Sequence, residues 1–326
     1  MSSDLKQQVA DIFKLLRWQN LIFLCILMWC MEKWVAVPVL GHIGFPEVLP
    51  WWLLLLLTLG VVLIAAGGYV INDYFDVKID RINRPDRLIV TNTIDKDKAM
   101  RLFQILTAAG VLCGLWAAYQ VRSLSLAIVF LLVPGLLWFY SASYKRMFLV
   151  GNLIIALAAG LTPLTIALAN VAWLTRHYAM VMPYMPLSHD LYYWLGGFSA
   201  FAFLCTLIRE ITKDLQDQEG DRELECHTLP ICLGDVPTKI ILTCLVLGTM
   251  ALLCWCQWGG MLPFPTNWAS PSVRYLIFGL LTSLMGYLAL IWSAKIPSDY
   301  RSSQQQMKFV MFIGTLYSYI IASCLS

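Results

Sequence analysis

Two short segments of this 326-residue chain concentrate acidic side chains at helical spacing: NDYFDVKID, residues 72–80, and REITKDLQDQEGD, residues 209–221. A helix turns about 100° per residue, so Asp73, Asp76 and Asp80 fall within an arc of about 60°, with Asn72 beside them. This requires the helix to run on toward Pro85, which ends it. Glu210, Asp214, Asp217 and Asp221 share a similar arc if one helix carries them all, with Gly220 as its weak point. Stacked carboxylates on one helix face repel each other. Either interspersed Lys and Arg neutralise them, or a divalent cation does. Mg2+ takes oxygen ligands, keeps several waters, and bridges one or two carboxylates to phosphates. Two acidic faces opposite one another would hold a diphosphate between metal ions. Arg84, Arg87, Lys145 and Lys213 would take the remaining phosphate charge. The blander alternative is a pair of solvated loops of mixed charge. Its weakness is that clusters of ionisable residues at membrane spans are rare.

The elements that must position these residues are membrane helices. Hydrophobic residues make up 59% of the chain, charged residues 13%, and the mean hydropathy is +0.69. Soluble domains carry about 25% charged residues. A net charge of +3, with no basic patch motif, is too small to argue for a nucleic-acid partner. A span needs about 20 apolar residues. Nine runs qualify: 19–40, 50–72, 99–119, 123–142, 148–170, 192–210, 237–257, 273–294 and 307–325. With the N-terminus inside, only Lys33, Arg122, Arg176 and Arg274 of the 23 Lys and Arg fall in the outer half. The positive-inside rule therefore predicts an all-α bundle of nine transmembrane helices, N-terminus cytoplasmic and C-terminus outside. Both acidic segments follow even-numbered spans and so share the cytoplasmic face of the cell (inner) membrane. Most of the chain's 20 Asp and Glu lie in 72–97 and 210–235.

The first residues read as a surface helix. "VADIFKLL" (9–16) is amphipathic, and the segment 1–18 is expected to lie on the membrane. Nothing resembles a cleavable signal peptide: Glu32 and Lys33 interrupt the apolar run, and no small-residue cleavage site follows. Most of the ten cysteines sit in apolar runs, where Cys behaves as a small hydrophobe. Cys226, His227 and Cys232 lack a second ligand pair at zinc-site spacing. Glu32 and Lys33 are expected to have a structural role, near the outer interface or paired across the bundle. Asn152 and Thr165 are expected to hydrogen-bond between helices, and Gly67-Gly68 to let helices approach closely.

The motifs also resemble a known family. "NDYFDVKIDRINRPDR" (72–87) is similar to the first aspartate-rich motif of the UbiA-type intramembrane prenyltransferases. "REITKDLQDQEGDRELECHTLPI" (209–231) resembles their second motif with its trailing TLP. "YSASYKR" (140–146) and "LRWQN" (16–20) resemble two shorter family stretches, and nine spans match as well. The resemblance covers most of the chain and implies one UbiA-like domain over 1–326. It implies Mg2+ held by Asp73, Asp76, Asp80, Asp214, Asp217 and Asp221. It further implies that Asn72 supports the first motif, and that Arg84, Arg87, Tyr140, Lys145 and Lys213 bind the diphosphate.

The implied chemistry is loss of diphosphate from a prenyl donor and capture of the allylic cation by an acceptor. The second motif is most similar to the branch that transfers a geranylgeranyl group to geranylgeranylglyceryl phosphate, making an ether lipid. Prenylation of an aromatic quinone precursor is the alternative acceptor chemistry. One departure stands out: where the family often has a proline and a Ser-Gly turn after NRPxR, this chain reads "LIVTNTID" (88–95). A divalent-cation transporter, the rival from another class, needs carboxylates at mid-membrane on a pathway open to both sides. Here they cluster at one face beside basic residues, which suits a phosphate ligand better.

Overall fold

Each long apolar run becomes a helix, because a helix satisfies its own backbone hydrogen bonds where no water can. The computed structural model describes residues 3–42, 44–45, 49–83, 88–178, 187–259 and 265–325. Among them the only extended pairing is a single bridge between Val90 and Ile94. A short helix α1 (Ser3–Leu15) leads to Arg17, whose φ of 51° and ψ of 50° turn the chain into the first long helix.

Nine helices among the described residues are long and apolar enough to cross a membrane. They are α2 (Trp18–His42), α3 (Trp51–Asn83), α4 (Lys96–Val121), α5 (Leu124–Ala142), α6 (Val150–His177), α7 (Leu187–Gln216), α10 (Asp235–Trp258), α11 (Pro271–Ser293) and α12 (Pro297–Leu325). Two short helices, α8 (Gln218–Glu223) and α9 (Leu229–Leu233), lie between α7 and α10. The spans match the runs read from sequence. Three of the helices run well past their apolar part: α3 to Asn83, α7 to Gln216, and α12 from Pro297. Two of these polar extensions carry the acidic segments.

Between membrane helices the driving force is close packing and hydrogen bonding rather than water exclusion. Small residues allow it here. A Cβ on Gly60 would sit 3.2 Å from Gly110 O, and one on Gly110 would sit 3.0 Å from Gly60 O, so α3 and α4 meet backbone to backbone. Gly67 faces Thr107 of α4, and a Cβ on Gly68 would touch Leu137 of α5 at 3.0 Å. The Gly67-Gly68 pair therefore brings three helices together. Two buried apolar clusters complete the packing. One gathers Met28, Leu53, Leu57, Ile166 and Leu195. The other joins Ile208 and Ile211 of α7 to Leu242, Tyr287 and Met307 of α10, α11 and α12. Outward-facing side chains such as Leu112, Trp116, Phe278 and Trp292 are large, apolar and exposed, as lipid contact requires.

Candidate active site

The helical extension of α3 works as the spacing predicts. Asn72 and Asp76 lie one turn apart and are both buried, and Asn72 Nδ2 donates to Asp76 Oδ2 at 2.7 Å. The other Asp76 oxygen forms an ion pair with Lys145 Nζ. Lys145 sits in a 3-10 turn, Tyr144–Arg146, directly after α5. Asp73 Oδ1 accepts from Arg17 at 2.9 Å. The Arg17 guanidinium also lies 4.8 Å from the centre of the Tyr69 ring, a cation–π contact.

The second segment departs from expectation. One helix does not carry Glu210, Asp214, Asp217 and Asp221 on a shared face. α7 ends at Gln216, Asp217 leaves helical geometry at φ −98° and ψ 12°, and α8 begins at Gln218. The break falls before Gly220 rather than at it. Asp214, on the last turn of α7, accepts from Asn152 Nδ2 of α6 at 2.7 Å. Asp221 is carried by α8 and buried, and its Oδ2 accepts from Thr228 Oγ1 at 3.0 Å. Glu210 is buried and ion-paired with its neighbour Arg209.

A single residue joins the two segments. Asn83, the last residue of α3, donates through Nδ2 to Asp217 O at 3.2 Å and accepts from Gly220 N at 3.0 Å. A Cβ on Gly220 would lie 2.7 to 2.9 Å from the Asn83 amide group, so the approach requires glycine. The polar ends of α3 and α7–α8 are thereby pinned together over one cavity of 1330 Å3. Asn72, Asp73, Asp76, Asp80, Tyr140, Lys145, Lys213, Asp214, Asp217 and Asp221 all line it. Deeper in the bundle its walls turn apolar, with Phe23, Leu27, Phe130, Val133 and Leu161. Such a cavity takes a ligand with an anionic head and a hydrocarbon tail.

The electrostatics match that shape. Burial pushes the Lys145 ammonium down to about 7, and Lys213 and Arg146 push the same way. The Asp76 carboxylate is in ion-pair contact with it. Burial raises Asp221 to about 6, and Asp217 adds to this while the Thr228 hydrogen bond opposes it. Burial opposes the charge on Arg17, but Asp73 overcomes it and holds the guanidinium above its ordinary value. Cations and carboxylates therefore meet at close range inside the cavity mouth. An arriving anion and its metal would exchange these pairs for others without leaving a bare charge.

The structure brings most of the residues singled out from the sequence to one cavity. Arg84 and Arg87 lie outside the described residues, as does Pro85. Among the described residues no three His, Cys, Asp or Glu side chains converge on one point as a ready-made metal cage. The oxygen donors instead stand on two walls, an arrangement suited to Mg2+, whose shell is commonly completed by phosphates and waters. Sequence reasoning gave Asn83, Thr228 and Arg17 no role, although all three lie within the quoted motifs. The helix-end position of Asn83, one turn past Asp80, was the available signal for the first. Asn152 proved to be an interhelical donor, as expected, with Asp214 as its partner. Glu32 pairs across the bundle with Asn170 of α6 and lies outside the cavity lining.

Comparison with known proteins agrees. The model of the UbiA prenyltransferase family matches residues 34–316. A digeranylgeranylglyceryl phosphate synthase from Ignicoccus hospitalis is 31% identical over 254 residues, 78% of this chain and 76% of that protein. One from Methanosphaera stadtmanae is 29% identical over 79% of this chain and 83% of that protein. Among solved structures, one reported for digeranylgeranylglyceryl phosphate synthase in membranes superposes with a TM-score of 0.61 at 23% identity, covering 97% of this chain and 99% of that one. A UbiA homologue from Archaeoglobus fulgidus, solved with DMAPP and Mg2+, gives 0.58 at 15% identity, covering 96% and 99%. At these identities the two structures establish the fold.

Proposed function

The chain belongs to the UbiA prenyltransferase family, and from that premise we propose that it transfers a geranylgeranyl group from its diphosphate to the hydroxyl of a lipid glycerol phosphate, forming an ether lipid. The observation that carries the proposal is the Asn83 bridge, which sets both acidic segments over the polar end of one amphipathic cavity. The relatives named digeranylgeranylglyceryl phosphate synthase support the choice of acceptor. Membership of an enzyme family removes the transporter alternative.

Mg2+ fits the donors present. They are hard carboxylate oxygens on two walls, from Asp73, Asp76 and Asp80 on one side and Asp214, Asp217 and Asp221 on the other. When bound, it supplies charge to the leaving diphosphate. The chain's own residues do the rest. Lys145 and Lys213, with Arg84, Arg87 and the Tyr140 hydroxyl, bind diphosphate oxygens. Asn72 and Asn152 hold Asp76 and Asp214 in place. The C–O bond breaks and its electron pair leaves with the diphosphate. The acceptor oxygen bonds to the allylic carbon and releases its proton. The apolar walls around Phe130 and Val133 keep water from the cation. The whole chain acts as one domain, with the N-terminus and the cavity mouth on the cytoplasmic side of the cell membrane and α1 on its surface.

The test supplies labelled geranylgeranyl diphosphate and Mg2+ with geranylgeranylglyceryl phosphate, and in parallel with 4-hydroxybenzoate. A labelled diether that EDTA abolishes is the expected product. Label moving only to the aromatic acceptor would keep the metal site and overturn the lipid acceptor. Asp76→Ala and Asp217→Ala should each abolish transfer in protein that still folds; full activity in either would sink the two-wall mechanism.

A further inference from the structure

The cavity has a second charged wall to which the proposed transfer gives no role. On α12, Arg301, Gln304, Gln305 and Lys308 recur at i, i+3, i+4 and i+7, and all four line the cavity. Residues at these spacings share one helix face. That face is fixed against α7, because Gln304 Nε2 donates to Gln216 Oε1 at 2.6 Å. Arg209 of α7 lines the same cavity. Lys308 lies close enough to Arg209, Arg17 and Glu210 to feel their charges.

The charge here does not balance. Arg209 has Glu210 and Arg17 has Asp73. Neither Lys308 nor Arg301 has a hydrogen bond or ion pair among the described residues. Lys308 stands where the apolar part of α12 begins, and its side chain lines the cavity. Cations gathered there without balancing carboxylates draw an anion. The carboxylates that would hold the donor's metal stand on α3 and on α7–α8, and the donor's diphosphate belongs with them.

We infer that Lys308, with Arg209 and Arg301 beside it, forms a subsite for a phosphate monoester on the acceptor, separate from the diphosphate site. The inference rests on the proposed transfer reaction and deepens it by assigning what selects the acceptor. Lysine binds phosphate as a point charge and the arginines add planar donors. The phosphate holds the acceptor's polar end against α12 while its hydrocarbon tail follows the apolar walls.

The test uses the full chain in lipid nanodiscs. Binding of labelled geranylgeranylglyceryl phosphate and of its phosphate-free alcohol, geranylgeranylglycerol, is measured without donor. KM and kcat are then measured with geranylgeranyl diphosphate. Wild type should bind the phosphate at least tenfold more tightly than the alcohol. Lys308→Met should erase most of that preference, leave the donor KM within twofold and barely change binding of the alcohol. Lys308→Arg should keep it. Equal weakening of donor and acceptor would assign the wall to the diphosphate and overturn the subsite. So would a preference that survives in both Lys308→Met and Lys308→Met/Arg301→Gln. Discs of neutral lipid are compared with discs containing phosphatidylglycerol. Acceptor binding abolished by that lipid would reassign the wall to bilayer anions. The binding arm stands apart from turnover: a wild type that binds with the expected preference but transfers to no glycerol acceptor would overturn the proposed reaction and leave the subsite standing.

Discussion

Asn83 and Gly220 lie 137 positions apart in the chain, and the Asn83 side-chain oxygen accepts the Gly220 backbone N–H at 3.0 Å. With the second bond from Asn83 Nδ2 to Asp217 O, this fixes where the second acidic segment sits relative to the first. Losing a partner in such a pair costs about 1–3 kcal/mol. Asn83→Ala should therefore lower kcat/KM for the prenyl donor on the order of 10- to 100-fold, with the larger share in kcat, because the carboxylate walls lose their register. Gly220→Ala should do the same from the other side, since its Cβ would push the Asn83 amide away. Steady-state kinetics over a Mg2+ titration is the measurement. Unchanged kcat in both variants would show that the walls hold their register without this bridge.

The spans were legible because lipid imposes a length and an apolarity that nothing else in the chain imitates. Trp51–Asn83 and Asp235–Trp258 could be read to within a few residues at most of their ends. The first acidic face was legible because no breaker lies between Val70 and Asn83, so a period of 3.6 holds throughout. The second was legible only in composition. No local rule says that α7 stops at Gln216. Asp217 leaves the helix where its carbonyl accepts from Asn83 and Gly220 N binds the same side chain, and those contacts come from a helix that ends 134 residues earlier. The partners of Asp73 and Asp76, Arg17 and Lys145, were invisible for the same reason. They belong to a turn and a loop that only the folded bundle brings into reach.

Asn152 carries a second prediction. Its Nδ2 donates to Asp214 Oδ2 at 2.7 Å from the facing helix α6. Asn152→Leu removes that donor without opening a cavity, so Asp214 loses its orientation while the helices still pack. The expected result is an apparent Mg2+ requirement raised roughly tenfold, in line with the usual cost of losing a hydrogen-bonding partner behind a metal ligand. Asn152→Gln should recover part of it. A Mg2+ titration that does not move in Asn152→Leu would separate Asp214 from metal binding.

Asp221 gives the chain a pH signature. Its carboxyl is raised from the ordinary range to about 6, first by burial and then by Asp217. A raised acid binds its proton more tightly in the folded state. Its contribution to stability is therefore present below the unfolded value near 3.9 and is lost as pH rises through about 6. Thermal unfolding without ligands should show wild type losing ground to Asp221→Asn between pH 5 and pH 7. Mg2+ with a non-hydrolysable prenyl diphosphate analogue relieves that ionised carboxylate, so the same ligands should raise Tm more at pH 7.5 than at pH 5. Equal ligand shifts at both pH values would show that Asp221 stands apart from the metal and diphosphate.

Glu32 tests the boundary between site and scaffold. It lies fully buried in a π-helical turn, Met31–Ala36, of α2, and its Oε2 accepts from Asn170 Nδ2 at 2.7 Å. Its other oxygen, Oε1, and Asn170 Oδ1 have no hydrogen-bond partner among the described residues. Glu32→Ala removes one of the two acceptors of Asn170 Nδ2, leaving Ile166 O, and should cost about 1–3 kcal/mol. Glu32→Gln keeps an oxygen to accept from Asn170 and removes a buried ionisable group, so it should match or exceed wild type in thermal stability. Because Glu32 does not line the cavity, the folded fraction of either variant should keep kcat and the donor KM within twofold. A Glu32→Ala protein that unfolds like wild type but turns over slowly would move this pair out of the scaffold and into the reaction.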